Sequence, residues 1–264
     1  MMENIVHNLK IFLMFGLASV KKSFQNRFGA VSFVLAKLIR FTLFFLFAYF
    51  LVTKSGSLKG YSVNHIIFFY LTFNIIDTAV QFLYREVYRF QWTLISGEFD
   101  SILVKPYHPF LRILIGGVDL FDLVVLIPYI VLAIFFASKL QVITPLNISL
   151  YFLLIFNALI IATAFHIGVL AFGILTTEVN QPIWIYRDLT TMGRFPFEIY
   201  KEPLRGILTF VIPIGIMMSF PPRALFGALS ITLVLYALFI SCLLFIGSLS
   251  FWKFALKRYQ SPGG

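Results

Sequence analysis

The stretch "YREVYRFQWTLISGEFDSILVKPYHPFLR", residues 84–112, differs from its surroundings. Its flanks are strongly apolar, yet Arg85, Glu86, Arg89, Glu98, Asp100, Lys105 and Arg112 crowd together here. Phe99, Ile102 and Leu103 fall at i, i+3 and i+4, so they share one side of a short helix. Gly97 breaks the helix before it. Glu98 and Asp100 occupy the first turn, where negative charge favours the helix dipole. Pro106 stops it, because the residue before a proline avoids helical geometry. The expectation is a helix of about two turns with an apolar face and charged ends. It either rests on a membrane surface as a loop helix or inserts as a knob into a groove on a partner protein.

Composition fixes the solvent around this island. The chain has 264 residues, 60% hydrophobic and 12% charged. A soluble domain averages about 45–50% apolar and roughly 25% charged. A water-soluble fold could not cover so much apolar surface, so the expected class is an all-α integral membrane protein. The net charge of +10 is dispersed between apolar runs. That fits Lys and Arg held on the cytoplasmic side, and no nucleic-acid partner is expected. One cysteine, Cys242, leaves no intramolecular disulfide, and His7, His65, His108 and His166 match no ligand spacing, so no metal is expected. The N-terminus does not read as a cleavable signal.

A membrane helix needs about 20 mostly apolar residues. Segments near 30–53, 64–83, 113–137, 149–174 and 226–251 qualify. Residues 1–27 carry Ile5, Leu9, Phe12, Phe15/Gly16 and Val20 at helical spacing, with Glu3, Asn8, Lys10, Lys21, Lys22 and Arg27 off that stripe or at its end. This is the pattern of an interfacial helix; the alternative is the start of the first span. Residues 175–225 are harder. The run 179–197 is long enough to span but holds Gln181, Arg187, Asp188 and Arg194. Prolines at 196, 203, 213, 221 and 222 then interrupt the chain. One reading is a polar fifth span over 179–197, then a re-entrant hairpin over 198–225 on the outer side. The other makes 206–222 the span. Both give six spans and leave the termini on one side.

Eleven of the Lys and Arg residues lie in the N-terminal segment, the 84–112 loop and the C-terminal tail, and seven on the other side. Both termini are therefore expected in the cytoplasm, with the 84–112 island between spans two and three. Lys37 and Arg40 share a face of span one and are expected to snorkel to the headgroups; Asp77, Asp119 and Asp122 offer neutralisation instead. Charges inside a span usually serve a pathway, which makes Arg187, Asp188 and Asp77 candidates to line one. Arg187 and Asp188 are adjacent and are not expected to pair with each other.

The chain has no G-x-x-x-x-G-K-[ST], no G-x-S-x-G and no nucleophile beside a base, so it is not expected to be an enzyme. The island itself, Ser96-Gly97-Glu98-Phe99-Asp100-Ser101-Ile102-Leu103-Val104-Lys105-Pro106, followed by Gly116-Gly117-Val118-Asp119-Leu120, resembles the permease subunits of type-2 ABC exporters, in the multidrug or viologen-type branch. The resemblance covers nearly the whole chain. It implies an N-terminal elbow helix, six spans, a coupling helix between spans two and three, and a broken hairpin before the last span. It implies that ATP and Mg are handled by a separate ABC-type ATPase and that this chain binds no cofactor. By that similarity Gly97, Glu98, Phe99, Asp100, Ile102, Leu103, Lys105 and Pro106 couple to the ATPase, with Phe99 and Ile102 as the apolar plug. It further implies a second permease copy, identical or not, with the translocation path for an amphipathic or drug-like substrate between the two. The expected location is the cell (plasma) membrane, the inner membrane of a bacterium. The alternatives are an ATP-independent secondary transporter or channel, which needs coupling-ion sites on repeated broken helices, and an intramembrane enzyme.

Overall fold

The computed structural model describes residues 2–25, 27–140 and 143–261. The side chains of Glu3, Ile5, Leu9, Val20, Lys22 and Arg27, part of the expected interfacial pattern, lie outside the described residues, as do Pro262, Gly263 and Gly264. Among the described residues the structure is helical, with one isolated bridge between Leu58 and Tyr61 closing a turn.

Two long helices open the chain, α1 (Met2–Gln25) and α2 (Arg27–Ser55). Helix α3 (Val63–Tyr84) continues through a 3-10 turn, Arg85–Arg89, into α4 (Phe90–Ile95). The island supplies α5 (Glu98–Leu103), and α6 (Phe110–Ile113) follows. Helices α7 (Leu120–Ala137) and α8 (Pro145–Thr176) come next, then α9 (Asn180–Thr191). Short pieces follow: α10 (Leu204–Gly206), a π-helical turn Ile207–Val211, α11 (Ile214–Met218) and α12 (Phe220–Leu225). Helix α13 (Ile231–Lys257) completes the chain. Among the described residues five stretches are long and apolar enough to cross a membrane: Val31–Ser55, Val63–Ile95, Leu120–Ala137, Pro145–Thr176 and Ile231–Lys257.

Side-chain pairs give the directions. Phe41 stacks on Tyr70 and Lys37 donates to Gln81, so α2 and α3 are antiparallel. Lys37 meets Asp122 and Phe45 meets Phe136, so α2 and α7 run the same way. Thr72 bonds Tyr151 and Tyr84 bonds Thr163, so α3 and α8 are parallel. Asn157 donates to the Ala237 carbonyl, and Gly227 lies against Asn147, so α13 runs parallel to α8. The core lies where α3 and α8 face each other: Phe68, Leu71, Leu154, Ala158 and Ile161 are fully buried.

Parallel α8 and α13 force the chain between them to return the full height of the bundle. It does so in pieces. At one end the Val179 and Asn180 N–H groups donate to the Gln91 side chain. At the other, Phe226 packs on His65 and Phe69 near the start of α3. Helix α9 covers only about 18 Å. The 3-10 turn Met192–Arg194 and the extended residues Phe195 and Pro196 bring the total to roughly 30 Å. Of the two expected readings of the fifth span, 179–197 holds a 12-residue helix followed by a 3-10 turn, and 206–222 holds only short pieces. Proline 196 lacks an amide donor. The later pieces fold back: Met217 reaches Tyr186, and Met218 lies against Gly193, before α12 climbs to Phe226.

The helix expected over 113–137 begins at Leu120. Gly116 and Gly117 are poor helix formers, and Asp119 caps the new helix by accepting from the Phe121 N–H.

Candidate functional site

Helix α5 sits at the end of the bundle that also holds α1 and the C-terminal tail. Phe15 of α1 packs on Tyr107, and Ser261 of the tail donates to the Asp100 carboxylate. Gly97 precedes α5 with φ of +73°, a left-handed conformation glycine adopts without strain. The expected two-turn helix is there, from Glu98 to Leu103.

Its faces differ from the expected ones. Phe99 and Ile102 point into the protein and are buried. The Phe99 ring is ringed edge-on by Phe90 (5.2 Å), Tyr259 (5.1 Å) and Trp252 of α13 (6.4 Å). The reason is proximity: the aromatic end of α13 and the tail offer those two side chains an apolar seat inside their own chain. In the chain by itself the two residues expected as the apolar plug are covered by its own side chains. The outward face is Glu98, Ser101, Leu103, Val104, Lys105 and Pro106, with Val104 84% exposed. Asp100 is half-buried beside Tyr259, whose phenol is pushed up to about 12 by burial and by that carboxylate.

Behind α5 lies a hub that sequence reasoning missed. Glu86 is buried and takes Arg112 on one carboxylate oxygen (2.6 Å) and Arg89 on the other (3.1 Å). Arg112 also reaches Glu98 (3.8 Å) and lies over the Phe15 ring. A β-carbon on Gly117 would come within 2.0 Å of the Glu86 carboxylate, so the glycine lets the α6–α7 loop pass over it. The Gly116-Gly117 pair was the available signal; its partner in space was not readable. A cavity of about 350 Å³ lies between these groups and α1.

A second network sits deeper. Asp122, with a fully buried side chain, pairs with both Lys37 and Arg85 (2.8 Å), and Arg85 also reaches Asp119 (3.1 Å). Lys37 does not snorkel; it turns inward to Asp122 and Gln81. Pairing an ammonium with a carboxylate one helix away offsets the cost of holding either charge out of water. Asp77 accepts from Gln81 (2.6 Å). Of the other two candidates, Asp188 is exposed, while Arg187 is half-buried over Trp184 (5.1 Å) and Tyr88 (5.7 Å) and does not pair with Asp188. Asp77 and Arg187 thus face one region between α2, α3 and α9; Asp188 is not drawn into it. Among the described residues no cluster of three His, Cys, Asp or Glu could hold a metal ion.

The family described as ABC-2 family transporter protein matches residues 38–263, nearly all of the chain from within α2 to the tail. The chain belongs to that family. It is a membrane transport component of the ABC-2 type, a permease, and such permeases normally partner with an ABC ATPase. No curated protein and no solved structure matches the chain. In this ABC-2 permease, the exposed α5, the Glu86 hub and the Lys37–Asp122–Arg85 network form a column of charge running from the loop end into the helices.

Proposed function

We propose that this chain is the permease subunit of an ATP-driven export complex, moving an amphipathic substrate outward with a separate ATPase and a second permease copy. The observation that carries the reading is α5. It is a short helix with an exposed acidic and apolar outer face, fixed from behind by Phe99 to the end of α13. A push on α5 from an ATPase reaches a long helix through packed rings rather than through a loose loop. In this reading both termini and α5 lie in the cytoplasm, α1 is the interfacial elbow, and the pieces from Leu204 to Leu225 form a hairpin dipping from the outer side. Asp77 and Arg187 line the path, which lies between the two copies.

The test is co-purification of the neighbouring ABC ATPase with wild-type chain and with a Glu98→Arg, Val104→Asp variant in detergent. Both side chains are exposed, and because Glu98 also reaches Arg112 at 3.8 Å, Val104→Asp alone serves as the variant that leaves the hub intact. Loss of the ATPase from the variant, with an unchanged elution profile, supports α5 as the docking element. Retention by both moves the docking surface elsewhere; absence of ATPase from both ends the export reading. Sidedness has its own check. A cysteine replacing Glu202, in a Cys242→Ser background, is expected to react with an impermeant thiol reagent from outside the cell. Labelling from the cytoplasmic side alone inverts the topology.

A further inference from the structure

Four cations gather around one small cavity between α2, α3 and α9. Lys37, Arg40, Arg85 and Arg187 line it, with Gln81 and Phe33 between them, and it holds about 240 Å³. Two of the four are already neutralised: Lys37 and Arg85 share Asp122, and Arg85 also takes Asp119. Arg40 and Arg187 are not. Among the described residues neither has a carboxylate within 4.0 Å. Asp77 is occupied by Gln81. Arg40 is exposed on a helix whose flanking residues are apolar, and Leu43 and Phe47 continue from it along the same face, both exposed.

Arg187 meets the Tyr88 phenol and the Tyr88 and Trp184 rings, none of them negatively charged, and an arginine at membrane depth without a carboxylate partner is a candidate functional site. Guanidinium groups present paired donors matched to phosphate and carboxylate oxygens. The volume is below the roughly 300–1,000 Å³ that encloses whole drug-sized ligands, so it suits a headgroup and leaves the rest of the molecule outside. We propose that this pocket binds the anionic head, phosphate or carboxylate, of an amphiphile, with Arg40 and Arg187 as its direct ligands. The chain of the amphiphile lies along Leu43 and Phe47. The site stands on its own geometry; calling the amphiphile cargo, rather than a resident lipid, rests on the export reading.

The experiment measures equilibrium binding of radiolabelled dodecyl phosphate to the full chain in phosphatidylcholine nanodiscs. Wild type is expected to show a saturable site. Arg40→Gln with Arg187→Gln is expected to weaken it by at least about tenfold, because two charge-assisted hydrogen bonds are lost. Dodecyltrimethylammonium, with the same chain and opposite charge, is expected not to compete. Should the double variant fail to fold, Arg40→Gln alone carries the test, since that side chain is exposed. Competition by phosphatidylglycerol in the nanodisc assigns the site to a lipid headgroup; its failure to compete assigns it to a transported amphiphile. Unchanged affinity in the variants, or equal binding of the ammonium probe, overturns the anion site. ATPase co-purification from the same preparations tests the export reading separately.

Discussion

The two charge networks of this permease each centre on one carboxylate shared by two cations, but in different settings. Asp122 holds Lys37 and Arg85 with its side chain wholly removed from solvent. Glu86 holds Arg89 and Arg112 at the loop end, where those partners keep 52% and 28% of their side-chain exposure. The difference lies in what each network can release. A buried pair that loses one partner strands the other in a low-dielectric interior. A pair at the rim can pass its cation to water. The deep network therefore ties α2, α3 and α7 together, while the outer one has cations that water can reach.

The largest expected effect breaks the deep network. Asp122→Ala strands Lys37 and leaves Arg85 with Asp119 alone, and should cost about 3–5 kcal/mol, read as a fall in the thermal unfolding midpoint in detergent. Asp122→Leu with Lys37→Met sharpens this: much of the loss should be recovered, because an apolar pair of similar size replaces a desolvated one. A double variant as unstable as Asp122→Ala would show that Arg85, not Lys37, dominates the network. Next, Gly117→Ala drives a methyl group into the Glu86 carboxylate and should destabilise by about 1–3 kcal/mol. Pairing it with Glu86→Ala should relieve most of the clash; additive losses would separate the glycine from the hub. The smallest effect falls at the rim. Glu98→Gln removes a 3.8 Å contact to Arg112 by a half-exposed carboxylate and should change stability by less than about 1 kcal/mol. A larger drop would place Glu98 within the hub.

The helical class and its apolar segments were legible because lipid demands long apolar runs, and no other reading of 120–137 or 145–176 competes. The ends of α5 were legible because Gly97 and Pro106 act locally. Its facing was not. An i, i+3, i+4 stripe says that Phe99 and Ile102 share a side, but only α13 and the tail decide that the side is inward. Lys37 shows the same limit. Snorkelling is a good rule for a lone lysine, and Lys37 is not alone once Asp122 arrives from 85 residues away. Arg187 and Asp188 were marked together by their charge; helical rotation separates them. Glu86, Arg89 and Arg112 stand together in the 84–112 stretch, but that Glu86 is the buried centre of a hub closed by Gly117 depends on the fold, because no spacing rule brings residues 86, 112 and 117 together.

The contact between Phe99 and Trp252 has a mechanical side. Helix α13 has no proline and runs unbroken for 27 residues, a rod of about 40 Å. Its far end carries Leu233 into the small cavity shared with Glu198 and Arg223 of the folded-back pieces. If the rod pivots at Trp252, a tilt of about 5° swings its far end by roughly 3 Å, given a rise of about 1.5 Å per residue. Such a tilt would make the island the short arm of a lever whose long arm ends beside Glu198 and Arg223.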